Sequence, residues 1–218
     1  MKNGEQVFHK LKLSARYWLL GMAETDVGYF KVIEAMEFCL EKHNGFRNGG
    51  APEAIHQLGI FHTLRTLHRH IKNPVVVYCA AFLHDVVEDK GVSIQEIRIR
   101  FGDRIADVVA LLTKFEGYVL AEYLKAIFED EDASIVKFAD RINNLGSAVG
   151  VFKYKRLLKY FNESTNDFMP SFKISRRKFP HQEAVYENFK LVMMNQLNMI
   201  EAVLEMMPKD EVANHVGH

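Results

Sequence analysis

Apolar residues recur along the chain at i, i+3, i+4 and i+7, and few segments alternate with period two, so the sequence predicts helices from end to end. Residues 27–42 read as a helix with Phe30, Ile33, Phe38, Cys39 and Leu40 inward and Asp26 at its N-cap. A glycine-rich loop follows over 44–52, and Pro52 suits the first turn of a helix reaching about Ile71. Pro74 opens the run PVVVYCAAFLHDVVED, whose first half is apolar on every side, the mark of a helix at the centre of a domain. Ser93 with Glu96 forms a capping box for a helix to Phe101, and further helices are predicted over 104–114, 117–129 and 133–149. Residues 162–179 read as a loop with a short helical turn. The last helix, 181–207, carries Val185, Phe189, Val192, Met193, Leu197, Ile200, Val203, Leu204 and Met207 on one face and would span roughly 40 Å. Tyr17 and Trp18 are read as packing residues of an N-terminal helix.

Composition narrows the class. The 218 residues are 48% apolar and carry 28 basic against 28 acidic side chains, which fits a globular domain and leaves no basic excess for nucleic acid. Two cysteines, Cys39 and Cys79, form no CxxC and point to a reducing compartment, the cytoplasm. The apolar stretch over 17–23 is too short to span a membrane and lacks the features of a signal peptide. The expectation is an all-α, single-domain bundle of roughly eight to ten helices. It would have an N-terminal segment (1–25), a core (26–150) and a C-terminal extension packing on that core (151–218).

The sharpest chemical feature is His84-Asp85 at the end of the buried helix. A carboxylate there is costly unless it is paired or bound to a cation. A His/Asp mixture suits manganese, iron or zinc better than calcium. Further ligands are available from His56, with His62 as its competitor, and from Asp140 in the run Lys137-Phe-Ala-Asp-Arg-Ile-Asn-Asn144. The bland reading of an HD dipeptide alone is a helix-end histidine beside an aspartate paired with arginine.

The order H…HD…D resembles the signature of HD-domain phosphohydrolases, all-helical metal enzymes. It is closer still to the hydrolase domain of the RelA/SpoT family and the small alarmone hydrolases. His43-x-x-x-Arg47 with Gly50-x-Pro52-x-x-x-His56, then His84-Asp-Val-Val-Glu-Asp89, Leu112-Thr-Lys114 and Lys137-x-Ala-Asp140-Arg-x-x-Asn144 carry the likeness over residues 27–150. The resemblance implies one divalent metal, typically Mn2+, on His56, His84, Asp85 and Asp140, with Glu88 and Asp89 handling the attacking water. It implies a small-molecule nucleotide substrate met by Arg47 and Asn144, and loss of the 3′-pyrophosphate of (p)ppGpp to give GDP or GTP. The chain ends without the further domain that synthesis needs, so degradation alone is expected. Lys114, Lys137 and Arg141 are candidates for neutralising phosphate charge, or else surface ion-pair residues. His43 is either a hydrogen-bonding group beside the metal or an ordinary helix-end histidine.

The sequence departs from the family at Asn48, Gly49 and Glu53 near the first motif, and at Gly146 and Ser147 after the last. All fall in the substrate pocket, Ser147 among its candidate contacts. Another nucleotide, such as a nucleoside monophosphate or NADPH, is therefore the alternative substrate, and a non-catalytic nucleotide-binding module is the alternative class. Lys153, Lys155, Arg156 and Lys159 read as a solvated face or as an electropositive rim. Five methionines of the last helix, at 193, 194, 199, 206 and 207, read as core packing or as part of a homodimer surface.

Overall fold

The computed structural model describes residues 2–47 and 50–208, and its regular elements are all helices, with no strand among the described residues. In order they form α1 (Lys2–Ala23), α2 (Tyr29–Lys42), α3 (Ile55–Arg65), α4 (Pro74–Leu83), α5 (Val86–Lys90) and α6 (Ile94–Phe101). There follow α7 (Asp103–Leu112), α8 (Leu120–Phe128), α9 (Glu131–Ala148), α10 (Tyr154–Glu163), α11 (Met169–Lys178) and α12 (Glu183–Met206). No helix of the described residues is long and apolar enough to cross a membrane.

The all-apolar run does occupy the centre. Every residue of α4 from Val77 to Leu83 is buried, and the helix packs on α2, α3, α7 and α9. Helix α9 is the second axis: it touches α3, α4, α7 and α8 on one side and α12 on the other. Its N-terminus is fixed by Asp130, whose Oδ1 accepts from the amides of Asp132 and Ala133 at 3.0 and 2.9 Å. Arg104 of α7 spans Asp130 and the fully buried Asp132, donating to them at 2.7 and 2.6 Å. Asn73, just before α4, donates to Asp132 as well. Further along α9, Phe138 stacks on Phe172 of α11 with ring centroids 3.8 Å apart and meets Phe128 on its other flank at 4.6 Å.

The structure corrects several sequence expectations. Phe30 faces solvent and is 56% exposed, because α2 begins at Tyr29 and buries the face Tyr29–Val32–Met36–Cys39. Asp26 accepts from the Gly28 amide at 2.8 Å and forms the turn before the helix, not its cap. The helix expected to reach Ile71 stops at Arg65, and His68 lies stacked on Tyr78. Tyr17 points outward, whereas Trp18 packs edge-on against Tyr29, Phe61 and Tyr78. The largest correction is over 162–179, which is helical: α10 passes through a π turn, Ser164–Phe168, into α11. The hydroxyls of Ser164 and Ser171 donate to carbonyls four residues back, so polar residues that look like loop are absorbed by the helix, while Phe168 and Phe172 bury its inner face. On α12 the expected apolar face packs inward, but the methionines divide: Met193 is buried, and Met194, Met199 and Met206 are exposed.

Candidate metal centre

Four side chains converge where α3, the α4–α5 junction and α9 meet. His56 sits in the first turn of α3, Asp140 lies midway along α9, and His84 and Asp85 occupy the break between α4 and α5. His56, His84 and Asp140 each bring a donor atom within 4.8 Å of the others. The Nε2 of His56 is 3.2 Å from Asp140 Oδ1 and 3.8 Å from Asp85 Oδ2; that of His84 is 3.9 and 3.1 Å from the same two oxygens.

Each imidazole is aimed through its other nitrogen. His56 Nδ1 donates to Asn143 Oδ1 at 2.7 Å, and His84 Nδ1 to the Ala81 carbonyl at 2.9 Å. Both Nε2 lone pairs are thereby left for the centre. The carboxylates are steadied in turn. Gln57 donates to Asp85 at 3.1 Å, Asn144 to Asp140 at 2.6 Å, and the buried Lys137 to the other oxygen of Asp140 at 3.1 Å.

Buried His84 Nε2 makes no hydrogen bond, even though Asp85 is close. An unpartnered buried nitrogen is expensive unless something fills the space before it. Two imidazole nitrogens and two carboxylates around that space are a donor set suited to a borderline transition-metal cation, so these residues fit one.

Charge accumulates accordingly. Burial alone would lower the His84 pKa, but Asp85 and Asp140 outweigh it and push it up to about 9. Asp140 is held well below the usual carboxylate range: burial opposes this, and Lys137, His56 and His84 overcome it. Asp89 moves the other way, raised by burial and by the neighbouring charges of Asp85 and Glu88.

Glu88 and Asp89, on α5, line the same pocket of about 260 Å³ as His56, Asp85 and Asp140. Glu88 Oε2 accepts from the Lys114 amide at 3.1 Å, with the Lys114 ammonium 3.7 Å from the other oxygen. Arg47 and Asn144 stand on the boundary between this pocket and a larger cleft of about 890 Å³. That cleft is walled by Phe46, Phe152 and Tyr160 and edged by Arg156 and Ser147, whose hydroxyl is donated to the Asn144 carbonyl. Arg141 lies apart in a side lobe, bonded to Glu163 at 3.0 Å and covered by Phe168 and Tyr160. His62 is turned away, its Nε2 on the Leu11 carbonyl at 2.9 Å. Asn48 and Gly49 lie outside the described residues.

Sequence reasoning missed Gln57 and Asn143, which orient the centre, and Gly59, where a Cβ would come within 2.6 Å of the Asn143 amide. Gln57 and Asn143 each adjoin a motif residue, which was the one signal available.

Comparison with known proteins agrees with this geometry. Residues 54–145 match the family model for the HD domain. A guanosine-3′,5′-bis(diphosphate) 3′-pyrophosphohydrolase of Spiroplasma citri is 30% identical over 192 residues, covering 83% of this chain and 25% of that protein. The Aquifex aeolicus (strain VF5) protein of the same name is 30% identical over 149 residues, 64% of this chain and 21% of its own. The chain thus spans about a quarter of the length of these relatives. A solved structure described as "A metazoan ortholog of SpoT hydrolyzes ppGpp and plays a role in starvation responses" superposes with a TM-score of 0.55 at 20% identity. It covers 78% of this chain and 94% of that one, a likeness of fold. The helical core and the histidine–aspartate centre accord with that match: over residues 54–145 the chain is similar to the HD domain.

Proposed function

We propose that this protein removes the 3′-pyrophosphate of (p)ppGpp, releasing pyrophosphate and leaving GDP or GTP. We further propose that His56, His84, Asp85 and Asp140 hold a divalent cation, Mn2+ first. The observation that carries the reading is the His56/His84/Asp140 cluster with its unpartnered His84 nitrogen, and relatives named for this hydrolysis support it. A cation bound there supplies a Lewis acid that polarises phosphoryl oxygen and acidifies water.

The chain's own residues do the rest. Asp89, its pKa raised by burial and neighbouring charge, takes the proton of the attacking water. Glu88, tethered to the Lys114 amide, orients that water. Arg47 and Asn144, shared by both pockets, meet the phosphates between the centre and the nucleoside, and Lys114 neutralises added charge. Ser147 and the aromatic walls of the large cleft face the nucleoside, while Arg141 supports the site from its side lobe. In this reading residues 26–150 form the hydrolase core, and the extension that begins at 151 completes the cleft through Arg156 and Tyr160. Two buried free cysteines fit a reducing cytoplasm.

The deciding experiment incubates metal-stripped protein with ppGpp, with and without Mn2+, beside a His84→Ala/Asp85→Ala variant. Mn2+-dependent release of GDP and pyrophosphate, lost in the variant, is the expected result. Absence of turnover while Mn2+ binds would overturn the substrate. One feature favours a second nucleotide: Glu53, a position where the sequence departs from the family it resembles, pairs with Lys90 at 2.7 Å and puts an ion pair at the pocket wall. A panel of nucleoside monophosphates and NADPH, with products identified, separates the two. A protein that binds nucleotide and turns over none of the panel would be a binding module.

A further inference from the structure

His43, the residue capping the C-terminus of α2, is 5% exposed and lines the same 260 Å³ pocket as the centre. Its Nδ1 lies 3.3 Å from the Cys39 carbonyl, which also accepts the His43 amide at 2.8 Å. A carbonyl can only accept, so Nδ1 carries the proton and Nε2 presents a lone pair. The Cys39 thiol, 3.7 Å from Nδ1, is too weak a donor to reverse that assignment. Nε2 is buried and has no hydrogen-bond partner in the protein. Nor is His43 among the residues whose donor atoms cluster within 4.8 Å, so this lone pair is not the centre's missing ligand.

A buried acceptor left unmade costs roughly 1–3 kcal/mol, which argues for a donor arriving from the pocket itself. The neighbours narrow what that donor is. Asp85 and Asp89 are acceptors, and the pocket's ammonium groups are engaged, Lys90 with Glu53, Lys114 with Glu88 and Lys137 with Asp140. The pocket is wide enough for water, and a water has two hydrogens to give. We propose that His43 is a further residue of the active site: its Nε2 accepts one hydrogen of the attacking water and fixes that water's orientation, leaving the other hydrogen to the Glu88–Asp89 pair. His43 exchanges no proton in this role. The inference rests on the hydrolase reading and deepens it.

Two variants test it. His43→Phe keeps the ring and removes the acceptor; His43→Gln restores an acceptor. For ppGpp with Mn2+, His43→Phe should lower kcat by about 10- to 100-fold. KM and Mn2+ affinity should stay within about twofold, and His43→Gln should recover part of the loss. A kcat near wild type for His43→Phe, or a parallel loss of Mn2+ affinity, would overturn the role. The nitrogen chemical shifts of the His43 ring in Zn2+-loaded wild-type protein give a second readout, free of substrate and of variants. A proton on Nδ1 with a hydrogen-bonded Nε2 is expected, and a proton on Nε2 refutes the proposal even if a variant fails to fold. If wild-type protein leaves ppGpp intact, the substrate reading fails by itself, and the ring tautomer still decides the case of His43.

Discussion

An imidazole offers a cation one nitrogen and is aimed by the other, so Asn143 does for His56 what the Ala81 carbonyl does for His84. Gly59 makes this possible, since any side chain there would press on the Asn143 amide. Gly59→Ala should therefore weaken Mn2+ binding by about tenfold in calorimetric titration, and Asn143→Leu by a similar factor. The double variant should be little worse than either, because both act through one hydrogen bond. His84 adds a pH dependence. Its folded pKa of about 9 stands above an unfolded value of about 6.5. The charged ring therefore stabilises the metal-free protein fully below about pH 6.5, and that contribution is lost as pH rises through 9. A cation must displace the same proton. Mn2+ affinity should then climb by up to about tenfold per pH unit between 6.5 and 8.5 while the chelated protein becomes easier to melt; an affinity flat with pH would contradict the assignment.

At the scale of elements, the join of α7 to α9 depends on Arg104 and the buried Asp132. Burial raises the Asp132 pKa and Arg104 works against that rise. Arg104→Met would leave the carboxylate buried beside an uncharged neighbour, and a loss of about 3 kcal/mol is expected in urea unfolding. Asp130→Ala removes the α9 cap and one arm of the same arginine, for about 1–2 kcal/mol. An element buried on one face was readable from periodicity, as α12 shows. Helix α11 and the π turn before it were not, because serines bonded to their own backbone and the π turn itself break the spacing that periodicity detects. The site divides similarly. His56, His84, Asp85 and Asp140 stand in short recognisable strings, whereas Asn143 and Gln57 act on side chains 87 and 28 residues away, a pairing that only the fold creates.

For the whole molecule, the aromatic stack on Phe138 ties α8, α9 and α11 together behind the site. Phe138→Ala should cost about 3–5 kcal/mol by leaving a cavity among Phe128, Phe168 and Phe172. The proposed cation binds the folded chain alone. At 100 times its Kd it should therefore add about 2.7 kcal/mol, and chelation should lower Tm by roughly 5–10 °C. A melting curve indifferent to chelator would deny the centre a cation.

Adjacent residues of an unbroken helix diverge by about 100° around its axis, so two neighbours cannot address the same point. His84 and Asp85 do so because α4 ends at Leu83 and α5 begins at Val86, leaving the pair at a corner. A protein engineer transplanting this chemistry would gain nothing by writing histidine and aspartate side by side into a straight helix. The portable unit is the corner, with Gly91 in its left-handed conformation closing the short helix behind it.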